Sequence, residues 1–235
     1  MSREYSDFAN DDVKHWLKVI ADKSTSPKPY KDAMTALGRH LGMAMATKIS
    51  TQLQVYLVST VEDADFLALG ALQKLESQID SVGFACFWNE RTSLFDRKEL
   101  AVAPVLKQYR EPADQVDTLI VMKSIISSGC VVRTNLQNLI QQMQPKCIFI
   151  AAPVVYYQAE GTLREAFGAD ITNKFQFFYF AKDHERNELG EVLPGIGGMV
   201  YTRLGFDGQA DKNRYLPAIV KQRRQNIIER RKASV

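Results

Sequence analysis

The sequence predicts an α/β fold built on a doubly wound, mostly parallel sheet, and three observations carry that expectation. Short apolar, β-branched or aromatic runs recur along the chain, at LQVYLVS (53–59), VGFACFW (82–88), residues 116–122, KCIFIAA (146–152) and KFQFFYF (174–180). Most are followed by residues at helical spacing, the signature of βα units with strands buried on both faces. Between the third run and its helix stands Ser127-Ser128-Gly129. Small and hydroxyl residues opening a helix leave backbone N–H groups free to converge on an anion, with the positive end of the helix dipole behind them.

Taken in order, residues 1–12 read as a disordered or frayed leader. VKHWLKVIADK contains a short amphipathic piece, and STSPKP after it reads as loop because Pro27 and Pro29 oppose a helix interior. Tyr30, Met34, Leu37, Leu41, Met45 and Ile49 keep a three-and-four rhythm, so a helix follows; its small residues Gly38, Gly42, Ala44 and Ala46 suit close packing in the core or at a dimer contact. Phe66 to Ile79 repeat the rhythm after the first strand. Residues 89–115 are polar, without clear periodicity and long for a connection, which fits a lid, an interaction loop or a hairpin. Val131, Val132, Asn135, Leu136, Leu139, Ile140 and Met143 share one helix face. A helix near 160–167 precedes the last strand, and Pro and Gly cluster over 189–206, where backbone would face a neighbour. From Leu216 onward, apolar Ile219, Val220, Ile227 and Ile228 alternate with arginine pairs, so a basic helix is expected.

Composition bounds the function. With 235 residues, 46% hydrophobic and 24% charged, the chain can build one large core. No apolar run approaches the roughly 18 residues of a membrane helix, and the polar, acidic start has no secretory pattern, so a cytoplasmic protein with no membrane partner is expected. Cys86, Cys130 and Cys147 read as reduced thiols, with Cys130 at a helix start where a thiol can acidify. His40 and His184 lack partners at metal-ligand spacing, so no metal site is expected. Residues 212–235 carry a local charge of +7, leaving the rest of a chain of net charge +3 acidic. Arg223, Arg224, Arg230 and Arg231 are therefore candidates for nucleic-acid phosphates, against the plainer reading of a solvated helix or dimer arm.

Several motifs, in order, resemble those of the uracil phosphoribosyltransferases over roughly residues 13–206. Asp22-Lys23-Ser24-Thr25-Ser26 through Tyr30-Lys31 is similar to that family's N-terminal D-K-x-T-S arm. Ser127-Ser128-Gly129 stands where the 5′-phosphate loop A-T-G would, Ala151-Ala152-Pro153 where A-A-P ends the next strand, and Asn187-Glu188-Leu189-Gly190 with Pro194-Gly195-Ile196-Gly197 resembles the hood over the uracil ring. The resemblance implies a type I phosphoribosyltransferase fold with a hood and, beyond it, a basic C-terminal helical extension over 207–235. It implies phosphate or nucleotide contacts at Lys123, Ser124, Ser127, Ser128, Gly129 and Cys130, and base contacts at Val192, Pro194, Gly197 and Met199. The implied reaction joins uracil to 5-phosphoribosyl 1-diphosphate and releases pyrophosphate, commonly in a homo-oligomer.

The charged donor-site positions depart from that pattern. Glu62-Asp63-Ala64 replaces Arg-Ala-Gly, Asn89-Glu90-Arg91 replaces R-D-E, Lys123 replaces the acid near the ribose hydroxyls, and Gly198 replaces the hood aspartate. A unit-charge pair about 4 Å apart is worth roughly 4 kcal/mol at an effective dielectric near 20, so reversed signs should weaken the donor by orders of magnitude. Two readings of these residues stand side by side: Glu62, Asp63 and Asp65 cap the helix near residue 65 with Lys123 paired to them, or the pocket is rebuilt so that Lys123 meets a phosphate. The expected function is a relative that has lost catalysis and serves as a nucleotide- or phosphate-sensing, scaffolding or effector subunit with a protein partner. Degenerate relatives also occur in bacterial defence cassettes, including retron-type assemblies with nucleic acid. The alternatives are an enzyme with an altered nucleotide or base substrate, and an ordinary phosphoribosyltransferase with compensated substitutions. No cofactor is expected, magnesium being needed only if catalysis is retained.

Overall fold

The computed structural model describes residues 3–90, 92–94 and 97–233. Its first element overturns the frayed leader: β1 (Arg3–Tyr5) pairs antiparallel with a later strand, Arg3 opposite Asp183. Three residues carry no periodicity, and what fixes them is the long-range ion pair between those two side chains. Helix α1 (Asp11–Ala21) is capped by Asn10, whose side chain accepts from the Val13 N–H. Helix α2 (Pro27–Ala46) starts at the first proline of the supposed loop. The prolines fit because the N–H groups of a first turn have no acceptor inside the helix to lose.

Strand β2 (Gln54–Thr60) runs into one turn of helix, α3 (Val61–Asp63), then a π-helical turn over Ala64–Ala68 and α4 (Leu69–Leu75). This segment docks on α2 backbone to backbone. A Cβ on Gly38 would stand 2.1 Å from the Leu67 carbonyl oxygen, one on Gly42 2.6 Å from that of Ala71, and one on Gly70 2.2 Å from that of Thr35. The small residues expected at a core or dimer contact thus serve the core.

Strand β3 (Ser81–Asn89) is followed by β4 (Thr92–Leu94) and β5 (Arg97–Val102), which pair antiparallel as a hairpin, and by β6 (Val105–Arg110). β6 joins the main sheet antiparallel to β3, so the polar stretch 89–115 holds a hairpin and an edge strand. Then come β7 (Thr118–Met122), β8 (Ile125–Ile126), α5 (Cys130–Met143), β9 (Cys147–Tyr156), α6 (Ala159–Glu165), α7 (Ala169–Thr172) and β10 (Phe175–Asp183). β9 continues beyond Ala152, where the family pattern would end it. Pro153, which has no N–H to give a ladder, falls where the register with its neighbours is interrupted. The chain closes with a small antiparallel pair, β11 (Glu185–Arg186) and β12 (Val192–Leu193), and helices α8 (Val200–Arg203), α9 (Gly208–Arg214) and α10 (Ala218–Ala233).

The sheet order is β1-β10-β9-β7-β2-β3-β6, parallel throughout except at its two edges, with β8 paired to β9. Alternate residues go to opposite faces. Val55 and Leu57 join the apolar layer of α1, α2 and α4, while Tyr56 and Val58 join that of α5 and α6. Residues 207–233 do not extend away from this body: Ile219 and Val220 belong to the first layer, and Trp88 Nε1 donates to the Tyr215 carbonyl at 2.9 Å. The break at residue 206 is therefore not a boundary in packing.

Candidate functional site

Parallel pairing of β2 with β7 puts Ser59 opposite Met122, so the residues after both strands meet at their carboxyl ends. There Lys123 Nζ lies 2.9 Å from Glu62 Oε1 and 2.8 Å from Asp63 Oδ2. Asp63 Oδ2 also accepts from the Ser124 N–H at 3.0 Å and from Thr60 Oγ1 at 2.9 Å. The set is buried: Glu62 is 4% exposed, Lys123 8%, and Asp63 and Ser124 not at all. Lys123 and Ser124 were expected at a phosphate, and the structure spends both inward. Of the two readings of Lys123, the ion pair with the acids is the one found. Asp65 caps a helix, but not its own: it accepts from the Ala218 and Ile219 N–H groups at the start of α10 and from the Tyr215 hydroxyl.

A second buried ammonium approaches from the C-terminal segment. Lys212 donates to the Asn89 carbonyl at 2.5 Å and lies 4.9 Å over the Tyr201 ring. Asn89, at the end of β3, donates through Nδ2 to Asn135 Oδ1 at 2.9 Å and the Ala103 carbonyl at 3.0 Å. Burial alone would raise the pKa of Glu62, but Lys123 and Lys212 outweigh it and hold that carboxyl below its ordinary range. Burial depresses Lys123 as well, and is overcome by Asp63 and Glu62, which push it above an ordinary lysine; for Lys212 burial prevails and its pKa falls. Arg91, the last of the altered donor positions in this region, lies outside the described residues.

The connection then opens. Ser127 and Ser128 are half-buried, and Gly129 is left-handed at φ 70° as α5 begins; no side chain caps that helix. Its first N–H groups are thus not satisfied by a capping side chain, the arrangement an anion cradle needs. Cys130 is buried beneath it. Sequence reasoning missed the cation at this loop: Arg186, on β11, donates from Nη2 to Ser127 Oγ at 2.9 Å, and its guanidinium lies 3.7 Å from the centre of the Tyr156 ring. Nothing local marks Arg186, because the strand that carries it is two residues long.

The hood is anchored on three sides. Arg3 bridges Asp183 and donates to the Gly195 carbonyl at 2.8 Å, the Gly195 N–H donates to Asp183, and Tyr30 Oη donates to the Ile196 carbonyl at 3.2 Å. Val192 is buried, Pro194 follows a cis peptide bond and is half-buried, and Met199 is exposed. Gly197 sits so close to α1 that a Cβ would stand 2.5 Å from the Ile20 carbonyl oxygen; the half-buried Gly198 stands near Glu191, whose carboxylate accepts from Asn187. Arg203 ties the N-terminal arm to α8 by donating to the carbonyls of Asp22 and Lys23.

The basic helix is partly spent. Arg223, a nucleic-acid candidate, pairs instead with Glu111 at 2.6 Å and Glu76 at 2.5 Å and donates to the Val82 carbonyl. Arg224 and Arg230 are exposed, and the side chain of Arg231 lies outside the described residues. Among the described residues no group of three or more His, Cys, Asp or Glu could hold a metal, and no helix is long and apolar enough to cross a membrane.

No protein-family model and no curated protein matches the chain. Among solved structures it is similar to the AQ2163 protein from Aquifex aeolicus, at TM-score 0.66 and 16% identity over 85% of this chain and 97% of that one. That likeness is one of fold. Weaker matches include adenine phosphoribosyltransferase from Leishmania donovani, at TM-score 0.42, 12% identity and 67% and 68% coverage, and a hypoxanthine phosphoribosyltransferase from Staphylococcus aureus, at 0.39, 9%, 55% and 66%.

Proposed function

We propose that this chain is a phosphoribosyltransferase-like protein of the uracil type that no longer transfers phosphoribosyl groups and works as a phosphate- or nucleotide-sensing subunit. One observation carries the reading: the ammonium of Lys123 sits between Glu62 and Asp63, so the strand ends where a diphosphate and a ribose would be held are filled by the protein's own charges. A pyrophosphate brought there meets two carboxylates, and a magnesium ion meets an ammonium in place of the acid it needs. The residues present do not fit the metal. Removing Lys123 from the pair to admit a donor would leave buried carboxylates uncompensated, at a cost of about 3–5 kcal/mol.

The cradle is a different matter. Ser127, Ser128 and the opening of α5 can accept one phosphate-sized anion, and Arg186 stands at its edge with its guanidinium oriented by Tyr156. We assign the sensing role to that pair of elements. Should the protein also engage nucleic acid within a defence-type assembly, Arg224 and Arg230 would face the phosphates and Arg223 would not.

Isothermal titration with 5-phosphoribosyl 1-diphosphate and magnesium tests the reading directly. No heat of binding and no uridine monophosphate formed from uracil is the expected result. Micromolar affinity, or measurable turnover, overturns it. A nucleoside 5′-monophosphate should shift the amides of Ser127, Ser128 and Gly129 in wild type and not in Arg186→Ala.

A further inference from the structure

Away from the cradle, on the layer formed by α2, the π-helical turn and the C-terminal segment, lies a hollow of about 350 Å³. Phe66, Phe206 and Tyr215 give it aromatic walls, and Lys31, Arg214 and Asp211 are its charged residues. Phe206 and Tyr215 meet edge to face at 5.0 Å, and the Tyr215 hydroxyl is held by Asp65, which also caps α10. Those walls are therefore fixed from behind. The cations are not committed: Lys31 Nζ stands 5.4 Å over the Phe66 ring, and among the described residues neither it nor Arg214 has a carboxylate within ion-pair distance. The one acid at the rim is partly occupied, Asp211 Oδ2 accepting from the Asp207 N–H at 3.1 Å.

We infer that this hollow is a second binding site, for a small ligand made of one aromatic ring bearing an anionic group, either a carboxylate or a phosphate. The ring supplies the stacking and edge contacts the three aromatic side chains offer, and the anion supplies the partner that Lys31 and Arg214 lack. The volume sits at the small end of ligand pockets, which suits a single-ring ligand. The site shares no residue with the cradle and stands or falls independently of the function proposed above.

Protein-observed NMR titration of the full chain tests it with benzoate, a pyrimidine nucleoside monophosphate, neutral benzamide and inorganic phosphate as probes. At least one aromatic anion is expected to bind, with shifts centred on the amides of Gly205, Phe206 and Tyr215. Whichever of benzoate and the monophosphate binds more tightly identifies the anion. Benzamide and inorganic phosphate should each bind about tenfold more weakly or worse, a difference of one decade in affinity. Lys31→Glu and Arg214→Glu should each weaken the aromatic anion at this hollow by about tenfold, and Arg186→Ala should leave its shifts at Gly205, Phe206 and Tyr215 unchanged. Phe206→Ala, read alongside its unfolding midpoint, separates loss of the wall from loss of the fold. No shift at Gly205, Phe206 and Tyr215 with either aromatic anion overturns the inference, as do shifts there that survive both charge reversals or that inorganic phosphate matches.

Discussion

Two parts of one connection, between β7 and α5, treat charge in opposite ways. At its start Lys123 and Ser124 turn inward and close on Glu62 and Asp63; at its end Ser127 and Ser128 stay half-buried, with Ser127 held by Arg186. The first arrangement closes a cation on two carboxylates, whereas the second sets a guanidinium on a serine hydroxyl beside a helix start that no side chain caps. The two ends draw their partners from different elements, α3 for the first and β11 for the second, so the charge of one can change without the other.

The sharpest way to break that contrast is Lys123→Met. It should destabilise the protein by about 3–5 kcal/mol in denaturant titrations, because two buried carboxylates lose their cation. Adding Glu62→Gln and Asp63→Asn to the same chain should restore most of the loss; if it does not, the cluster is not the self-neutralised unit described here. Its pH signature follows. Glu62 is held below its ordinary 4.5, so its stabilising effect is present above that value and is lost as pH falls through the lower folded value. Glu62→Gln should therefore flatten the acid limb of the stability profile. Lys212 is depressed from 10.5, so the unfolded chain holds its proton more tightly and stability should rise with pH between the folded value and 10.5. Lys212→Met should remove that rise in thermal melts.

Smaller effects test how firmly the C-terminal segment belongs to the filled half. Arg223→Ala should cost about 1.5–3 kcal/mol through its charge-assisted bonds to Glu76 and Glu111. Asp65→Ala should cost about 1–2 kcal/mol as α10 loses its cap. Smallest of all, Arg186→Ala should change stability by no more than about 0.5 kcal/mol while abolishing phosphate binding, which is the open half of the contrast.

What the sequence could reveal follows the range of the interactions. The five central strands are legible because each is an apolar, β-branched or aromatic run, and α5 because its apolar positions repeat at helical spacing. β1 is not legible: Arg3 is a strand residue only because Asp183 waits across the sheet. Pro27 and Pro29 read as breakers, since a breaker and a first-turn residue look alike until the cap is seen. At the site, the altered charges at Glu62, Asp63 and Lys123 were visible, and so was the choice between a pair and a rebuilt pocket. Geometry had to decide it. Lys212 and Arg186 were silent, and Asp65 reads as a cap of its own helix instead of α10, because their partners lie far along the chain.

The notched contact between α2 and the Leu67–Ala71 segment has one more effect. Since main chain rests on main chain at Gly38, Gly42 and Gly70, no rotamer change can let one helix slide along the other. Lys31 rides on the first of these helices and Phe66 on the turn that precedes the second. The spacing between them is thus machined rather than sprung, and a guest entering there would find jaws already set to width.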